Sequence, residues 1–216
     1  MGKKTFNLDY NIKESADGIE NSKVIYMIHG FGADKNDLFS FANYLPGSFT
    51  VIALQAPYSL PFGGKAWYNI ELENGNHISD SGQAKSSVKE IEKFITDSRE
   101  HFNFHDDVFV LGFSQGAILS YSMILNNPER YKYALSLSGF IFEEIMPESY
   151  EKDYSHLDFY AAHGTMDGII PIEKGRSAKK LLSELNLKHI YHEFPAAHSI
   201  AQKEFEEIIE WLRERS

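Results

Sequence analysis

Residues Phe109 to Asn127 read FVLGFSQGAILSYSMILNN. This stretch begins as an apolar run typical of a buried strand and continues as a helix that has almost no polar face. Ser114 stands at the junction, and Gly112 and Gly116 flank it two residues away on either side. An apolar strand followed at once by an apolar helix predicts a layered α/β fold in which both elements are buried.

The same alternation of strand and helix runs along the rest of the chain. Apolar, β-branched runs predict strands at 24–29, 49–55, 107–113, 133–139, 158–164 and 189–195. Helical spacing of apolar residues predicts helices at 34–45, 79–102, 173–185 and 199–214. Because several strands are apolar on both faces, we expect a doubly wound, mostly parallel sheet with helices on both faces. Residues 6–15 are predicted to add an antiparallel edge strand. No linker interrupts the pattern, so residues 1–216 are expected to form a single domain.

Composition narrows the classes of function. Hydrophobic residues make up 43% of the chain and charged residues 24%, as in ordinary globular domains. The formal net charge of −10 argues against a phosphate-backbone partner, so no nucleic acid is expected to bind. The sequence shows neither a signal peptide nor a stretch of about 20 apolar residues, which predicts a cytoplasmic protein without a stable membrane anchor. The absence of cysteine excludes disulfides and thiol nucleophiles.

One acidic segment, residues 141–156, fits neither the helical nor the strand period. Two interpretations stay open for it: a small lid beyond a strand end, or an ordinary surface loop.

Residues 112–116, GFSQG, match the G-x-S-x-G nucleophile elbow. In that motif the serine lies on a strained turn between strand and helix, and side chains at the glycine positions would collide with neighbouring backbone. The turn places the hydroxyl near the helix N-terminus, where the helix dipole favours developing negative charge. With an apolar strand before it and an apolar helix after it, Ser114 is the candidate nucleophile.

A serine hydroxyl needs a base, and on this scaffold the partners follow in the order serine, acid, histidine. His198 lies in a loop between the last predicted strand and the terminal helix, at the edge where parallel strands end. His189 and His192 fall inside a predicted strand. His163 ends a strand and precedes a glycine, which indicates a structural role in a turn. His198 is therefore the candidate base.

The acid is expected in a loop after a strand, between the serine and the histidine. Asp167 fulfils this condition, and Gly164 and Gly168 allow its loop to turn tightly. Asp153 and Asp158 are poorer candidates because they come before the predicted strand. Asp167 would hold the histidine tautomer and stabilise the imidazolium that forms during the reaction.

A tetrahedral intermediate also needs backbone N–H donors. The amide of Gln115, directly after the nucleophile, is expected to be one donor, and the amide of Phe31 in the 29–34 loop the other. His29 is expected to be an orienting or packed residue beneath that loop. The nine histidines are scattered without a recognisable ligand pair, so no metal and no cofactor are expected.

Seven short motifs follow one another along the chain: IHGFGAD, QAP, GGKAWYNI, GFSQGA, LSLSGF, HGTMDGIIP and AAHSI. Together they resemble the phospholipase/carboxylesterase family of small α/β-hydrolases, which includes the acyl-protein thioesterases, over nearly the whole chain. The resemblance implies an α/β-hydrolase fold with a minimal lid. It also implies hydrolysis of small-molecule carboxylic esters or thioesters through an acyl-enzyme on Ser114, with His198 and Asp167. In such relatives the segment matching Trp67 and Tyr68 borders the substrate pocket, and ordinary aromatic packing is the alternative for these two residues.

Two departures from the family pattern concern the substrate. Residues 64–70, GKAWYNI, lack the arginine and acid that relatives often carry around the tryptophan, and Ala-Ala rather than glycine precedes His198. These departures leave the triad residues intact but concern the identity of the substrate. Lysophospholipase or acyl-protein thioesterase activity on long acyl chains is therefore an alternative and not the main expectation. A non-catalytic binding module on a hydrolase fold is a further alternative, although such modules usually lose a member of the triad.

Overall fold

The computed structural model describes residues 5–73 and 76–216. Its strands are β1 (Tyr10–Lys13), β2 (Lys23–Ile28), β3 (Phe49–Leu54), β4 (Tyr58–Ser59), β5 (Lys65–Ala66), β6 (Ile70–Glu73), β7 (Asn76–Ser79), β8 (Val108–Phe113), β9 (Tyr133–Leu137), β10 (Asp158–Gly164) and β11 (Lys188–Phe194). Its α-helices are α1 (Lys35–Phe39), α2 (Ser81–Phe102), α3 (Gln115–Asn126), α4 (Ile172–Glu184) and α5 (Gln202–Arg213). No helix in these described ranges is long and apolar enough to cross a bilayer.

Seven strands form the central sheet in the spatial order β1-β3-β2-β8-β9-β10-β11. Strands β2, β3 and β8 to β11 are parallel, and β1 runs antiparallel to β3 at one edge. This confirms the predicted doubly wound, mostly parallel sheet, including its antiparallel edge strand. The chain passes from β2 to β3 on one side and later returns to β8 on the other side of β2. That reversal creates a crevice at the carboxyl ends of β2 and β8, where ligands bind in open α/β sheets.

Helices cover both faces of the sheet because its inner strands, β2, β3 and β8 to β10, are buried along almost their whole length. In β2, Tyr26 belongs to a buried cluster with Phe94 of α2 and Ile124 of α3. The next residue, Met27, points to the opposite face and packs in a cluster with Leu38 of α1 and Ile208 of α5. Burial of apolar surface on both faces is the main stabilising contribution to such a layered fold. The sheet is thereby held rigidly enough to position loops at its edge.

Three predicted helices differ from the observed ones at their ends. The helix predicted at 34–45 is the short α1 followed by a separate 3₁₀ turn at Ala42–Tyr44. The helix predicted from residue 79 begins at Ser81, because residues up to Ser79 belong to the hairpin β6–β7 and Asp80 caps the helix through the amide of Gln83. The terminal helix begins at Gln202 rather than near residue 199.

The two short hairpins, β4–β5 and β6–β7, were not predicted. Their strands have only two to four residues, too few for an alternating pattern to be recognised. The first hairpin turns through Gly63 and Gly64, which have φ values of 91° and 75° that favour glycine.

The acidic segment 141–156 is packed against α3. Its 3₁₀ turn at Glu143–Ile145 is held by Ser122, whose hydroxyl donates to the Ile145 carbonyl at 2.6 Å. The hydroxyl of Tyr154 donates to the carbonyl of Leu125 at 3.1 Å, and Tyr154 is buried. These contacts favour a surface loop anchored on α3 over a freely moving lid.

Candidate active site

The turn between β8 and α3 holds Ser114 in a rare backbone conformation, with φ 54° and ψ −118°. Glycines on both sides make this turn possible. A Cβ at Gly112 would lie 2.4 Å from the carbonyl oxygen of Gly116, and one at Gly116 would lie 1.9 Å from that of Ile28. Any side chain there would overlap backbone atoms, so α3 packs directly against β2 and β8. The serine hydroxyl consequently stands at the carboxyl edge of the sheet.

Three side chains from separate loops meet at this edge. The Nε2 of His198 lies 2.9 Å from the Oγ of Ser114, and its Nδ1 lies 2.7 Å from Oδ2 of Asp167. The carboxylate accepts a hydrogen bond from Nδ1–H, so Nε2 is unprotonated and can accept the hydrogen of the serine hydroxyl. The side chain of Asp167 is fully buried, whereas that of His198 is 19% exposed. The structure thus brings together the three residues proposed from the sequence, in an arrangement able to activate the serine.

The carboxylate of Asp167 is held by a dense set of donors. Its Oδ1 accepts the amides of Ile169 at 2.9 Å and Ile170 at 2.8 Å. Burial acts to raise the pKa of Asp167, but the hydrogen bonds from His198, Ile170 and Ile169 outweigh it and bring the pKa below its usual value. The acid is therefore ionised at neutral pH and oriented towards His198.

His163 lies directly behind the acid. Its ring is completely buried, and Nε2 donates to the carbonyl of Ile170 at 2.8 Å, which closes the loop that carries Asp167. The same nitrogen is 3.5 Å from Oδ2 of Asp167. The predicted structural role in a turn agrees with this placement, but the contact with the acid was not foreseen. No local pattern indicated this contact, because a four-residue spacing predicts proximity within a helix and not in a loop after a strand.

The loop after β2 approaches the nucleophile closely. A Cβ at Gly30 would lie 3.2 Å from the Cβ of Ser114. In this loop the amide of Gly32 donates to the carbonyl of Lys65 at 2.8 Å, and that of Ala33 to Gly30 at 3.4 Å. Within the described residues, neither the Phe31 amide nor the Gln115 amide donates a hydrogen bond to another protein group. Both donors are thus available for a ligand beside Ser114.

His29 supports that loop from below. It is buried, and burial lowers its pKa, so the ring is neutral at neutral pH. Its Nδ1 donates to the carbonyl of Gly30 at 2.7 Å, and its Nε2 accepts the amide of Ala56 at 3.2 Å. Both ring nitrogens are therefore used in structural hydrogen bonds, in agreement with the packed role expected for His29.

Trp67 and Tyr68 are buried in the core, with exposed fractions of 0% and 1%. The expectation that they border the substrate pocket is not favoured by this burial, which instead supports the packing alternative. Both are hydrogen-bonded to the side chain of Gln115: the Trp67 amide donates to Oε1 at 3.0 Å, and Nε2 donates to the Tyr68 carbonyl at 2.8 Å. Sequence reasoning considered only the backbone of Gln115 and missed these contacts.

The remaining candidate histidines of β11 lie away from the triad. His189 contacts Ser183 and the carbonyl of Leu187, and the Nδ1 of His192 lies 2.5 Å from Glu207 on the surface. Both positions agree with the expectation that they are not the base.

Exposed apolar side chains occur at the Phe31 loop and at the Asp167 loop. Phe31 and Phe62 are 36% and 75% exposed, and their ring centroids are 6.3 Å apart. Met166 and Ile169, which flank Asp167 in its loop, are 63% and 72% exposed. We call these four residues the apolar rim. Large exposed hydrophobic side chains beside a polar centre are typical of sites that bind apolar ligands.

Comparisons with known proteins agree on one family. The sequence profile described as Phospholipase/Carboxylesterase matches residues 11–216. Acyl-protein thioesterase 1 of Kluyveromyces lactis is 30% identical over 156 residues, which cover 68% of this chain and 67% of that protein. Acyl-protein thioesterase 1 of Candida albicans is 24% identical over an alignment that covers 94% of this chain and 96% of that protein. Among solved structures, esterase PE8 has a TM-score of 0.84 at 25% identity, over 96% of this chain and 98% of that one.

Proposed function

Because this chain belongs to the phospholipase/carboxylesterase family, we propose that it is a serine hydrolase that cleaves carboxylic esters or thioesters through an acyl-enzyme. In this proposal Ser114 is the nucleophile, His198 the general base and Asp167 the acid that orients it. The amides of Phe31 and Gln115 form the oxyanion hole. The observation that carries the proposal is the continuous hydrogen-bonded chain from Ser114 through His198 to Asp167, at 2.9 and 2.7 Å.

Acylation begins when the Oγ of Ser114 attacks the carbonyl carbon of the substrate while its proton passes to Nε2 of His198. The carbonyl oxygen becomes an oxyanion, and the amides of Phe31 and Gln115 are the available donors beside it. The intermediate then expels the alcohol or thiol, which takes the proton from His198. The charge that forms on the imidazole is stabilised by Asp167, whose pKa stays below its usual value.

Deacylation repeats the same steps with water. The water gives one proton to Nε2 of His198 as its oxygen attacks the acyl carbon, and a second tetrahedral intermediate forms. That intermediate collapses, the bond to Oγ breaks, and His198 returns the proton to Ser114. The products are a carboxylic acid and an enzyme in its starting state.

Covalent labelling tests this proposal. A fluorophosphonate probe should label the wild-type protein at Ser114, and Ser114→Ala and His198→Ala should abolish labelling. Asp167→Asn should lower kcat by roughly 10³- to 10⁴-fold, because the histidine loses its tautomer control. Ser177→Ala is the matched control, since this serine is exposed on α4 and bonds only to a backbone carbonyl of its own helix. Saturable ligand binding by folded wild-type protein without labelling or ester turnover would instead support a non-catalytic module.

The apolar rim favours a second candidate within this chemistry, hydrolysis of long acyl chains as in a lysophospholipase or an acyl-protein thioesterase. Phe62 in particular is 75% exposed beside Phe31, the proposed oxyanion residue. An apolar acyl chain that binds here would bury this exposed surface, and each Å² of buried apolar area would stabilise the complex by about 25 cal/mol. The test compares kcat/KM across acyl chains of increasing length, on oxygen esters and thioesters in parallel. The long-chain candidate is supported if kcat/KM rises with acyl chain length in the wild type and rises less steeply in Phe62→Ala. A preference for acetyl or butyryl esters contradicts it.

A further inference from the structure

The side chain of Gln115 joins the two halves of the proposed oxyanion hole. Its backbone amide is one of the proposed donors, but its side chain is buried and points into the 65–68 segment. Oε1 accepts the amide of Trp67, and Nε2 donates to the carbonyl of Tyr68. An amide side chain has one acceptor end and one donor end, and here each end meets its complement in consecutive residues.

The 65–68 segment in turn holds the loop that carries Phe31. The indole Nε1 of Trp67 donates to the carbonyl of His29 at 2.9 Å, and the rings of Trp67 and His29 are 5.4 Å apart. Further along the loop, the Gly32 amide donates to Lys65, and the Lys65 amide donates to Ala33, both at 2.8 Å. The loop is therefore attached to this segment both before and after Phe31.

These bonds form a continuous path from one proposed donor to the other. It runs from Gln115 through Trp67 to the backbone on either side of Phe31, and the side chains of Gln115 and Trp67 are buried. Preorganised donors stabilise an oxyanion only when their spacing matches its position, and small displacements reduce the rate strongly. A buried, fully satisfied hydrogen-bond network is well suited to maintain such a spacing.

We propose that the Gln115 side chain is a positioning residue that sets the distance between the two oxyanion donors by clamping the Trp67–Tyr68 segment. This inference rests on the proposed function, because it assigns a role within that hole. It predicts that changes to the clamp act on the transition state rather than on substrate binding.

The first experiment replaces Gln115 by Met, which has a similar length and neither hydrogen-bonding group. We expect kcat to fall by roughly 10- to 100-fold with KM changed less than about threefold, because ground-state contacts remain. The affinity for an alkyl boronic acid, whose adduct with Ser114 places an oxygen in the hole, should fall by the same factor as kcat/KM. Trp67→Phe removes the indole donor to His29 together with part of a buried ring, and it should lower kcat in the same way. The double variant should cost less than the product of the two single effects, since both break one path.

Gln115→Glu supplies a readout that a purely structural role would not produce. An ionised glutamate cannot donate to the Tyr68 carbonyl, but its protonated form can, and burial raises the pKa of a carboxyl. Activity of this variant relative to wild type should therefore rise as the pH falls from about 8 to about 6. The same ratio for Gln115→Met should stay flat. Should the Met variant not fold, Gln115→Glu and Trp67→Phe still carry the test.

The outcomes separate this inference from the function on which it rests. If Ser114→Ala is inactive while Gln115→Met keeps kcat within about twofold of wild type, the clamp is refuted and the hydrolase proposal stands. The clamp is also refuted if the activity of Gln115→Glu relative to wild type does not change between about pH 8 and about pH 6. If Ser114→Ala retains full activity, the proposed function and the clamp fall together.

Discussion

Ser114 has a φ of 54°, a conformation that costs a non-glycine residue about 1–3 kcal/mol and persists only where the surrounding structure enforces it. The enforcement comes from the buried elements on either side, since Phe109 of β8 and Leu119 of α3 are both completely buried. Gly116 allows α3 to approach β2 so closely that a Cβ would lie 1.9 Å from the Ile28 carbonyl oxygen. At the residue scale, the position of the serine hydroxyl therefore depends on the absence of a side chain at Gly116.

Replacing Gly116 by Ala tests this dependence. In an isolated helix this change would stabilise the helix by about 1 kcal/mol. Here the added methyl group would clash with backbone, so we expect the free energy of unfolding to fall by about 2–4 kcal/mol and most activity to be lost. Denaturant unfolding measures the loss. Gly168→Ala is the matched control, because no atom lies within 4 Å of its added Cβ and its φ is not positive, so its stability should stay within about 0.5 kcal/mol of wild type. Equal stability of the Gly116 variant and the control would contradict the close approach.

At the scale of the element, α4 reaches the site through His163. A Cβ at Gly175 of α4 would lie 2.5 Å from Nδ1 of His163 and 2.9 Å from the hydroxyl of Tyr191. The His163 ring is thus confined between α4 on one side and the loop of Asp167 on the other. A helix outside the site loops thus packs against the residue that contacts the acid.

Gly175→Ala should displace the His163 ring towards Asp167 and lower kcat by about tenfold or more, because misplacement of a catalytic group by about 1 Å is costly. Steady-state kinetics measure the effect, and Lys180→Ala, an exposed change on the same helix, is the control. In a His163→Asn background the smaller side chain leaves room for the new methyl group. The cost of Gly175→Ala should therefore shrink in that background, and an undiminished cost would show that His163 does not transmit it.

At the scale of the whole molecule, the protein has a formal net charge of −10 and also buries a carboxyl group on α5. Glu204 is 2% exposed, and its Oε2 accepts the amide of Ala201 at 3.2 Å. Burial, with a contribution from nearby Glu207, raises the pKa of Glu204 to about 7. The folded protein therefore retains a proton that the unfolded chain releases above its ordinary carboxyl pKa.

The sign of the pH effect follows from that difference. Between about pH 4.5 and 7 the folded state binds more protons than the unfolded state, so this group's contribution to stability falls as the pH rises. Glu204→Gln keeps the acceptor for the Ala201 amide and removes the ionisation. We expect the variant to be more stable than wild type by up to about 3 kcal/mol at pH 8 and to lose this advantage near pH 4.5. Thermal or denaturant unfolding across this range provides the measurement, and Glu206→Gln, exposed on the same helix, should show no such trend.

Much of the fold could be predicted because its signals are local. The strand runs from 24–29 to 189–195 matched observed strands to within two residues. The inner strands are buried on both faces and leave a strong apolar pattern, whereas β11 is a largely exposed edge strand. The hairpins β4–β5 and β6–β7 escaped prediction because strands of two to four residues have no usable period. Helix ends were misplaced where a hairpin or a 3₁₀ turn replaced the expected first or last turn.

The sequence by itself determined the parallel α/β architecture, the glycine-flanked Ser114 and the order of candidate serine, acid and histidine, because motifs and apolar periods are properties of neighbouring residues. Only the tertiary structure decided that Trp67 and Tyr68 are buried, that the Gln115 side chain binds both, and that His163 stands behind Asp167. The Gln115 contacts join residues 47 and 48 positions apart in the chain, and the His163 ring is confined by a helix that packs from outside the loop. Such contacts depend on how the sheet and helices are packed, which no local pattern of residues specifies.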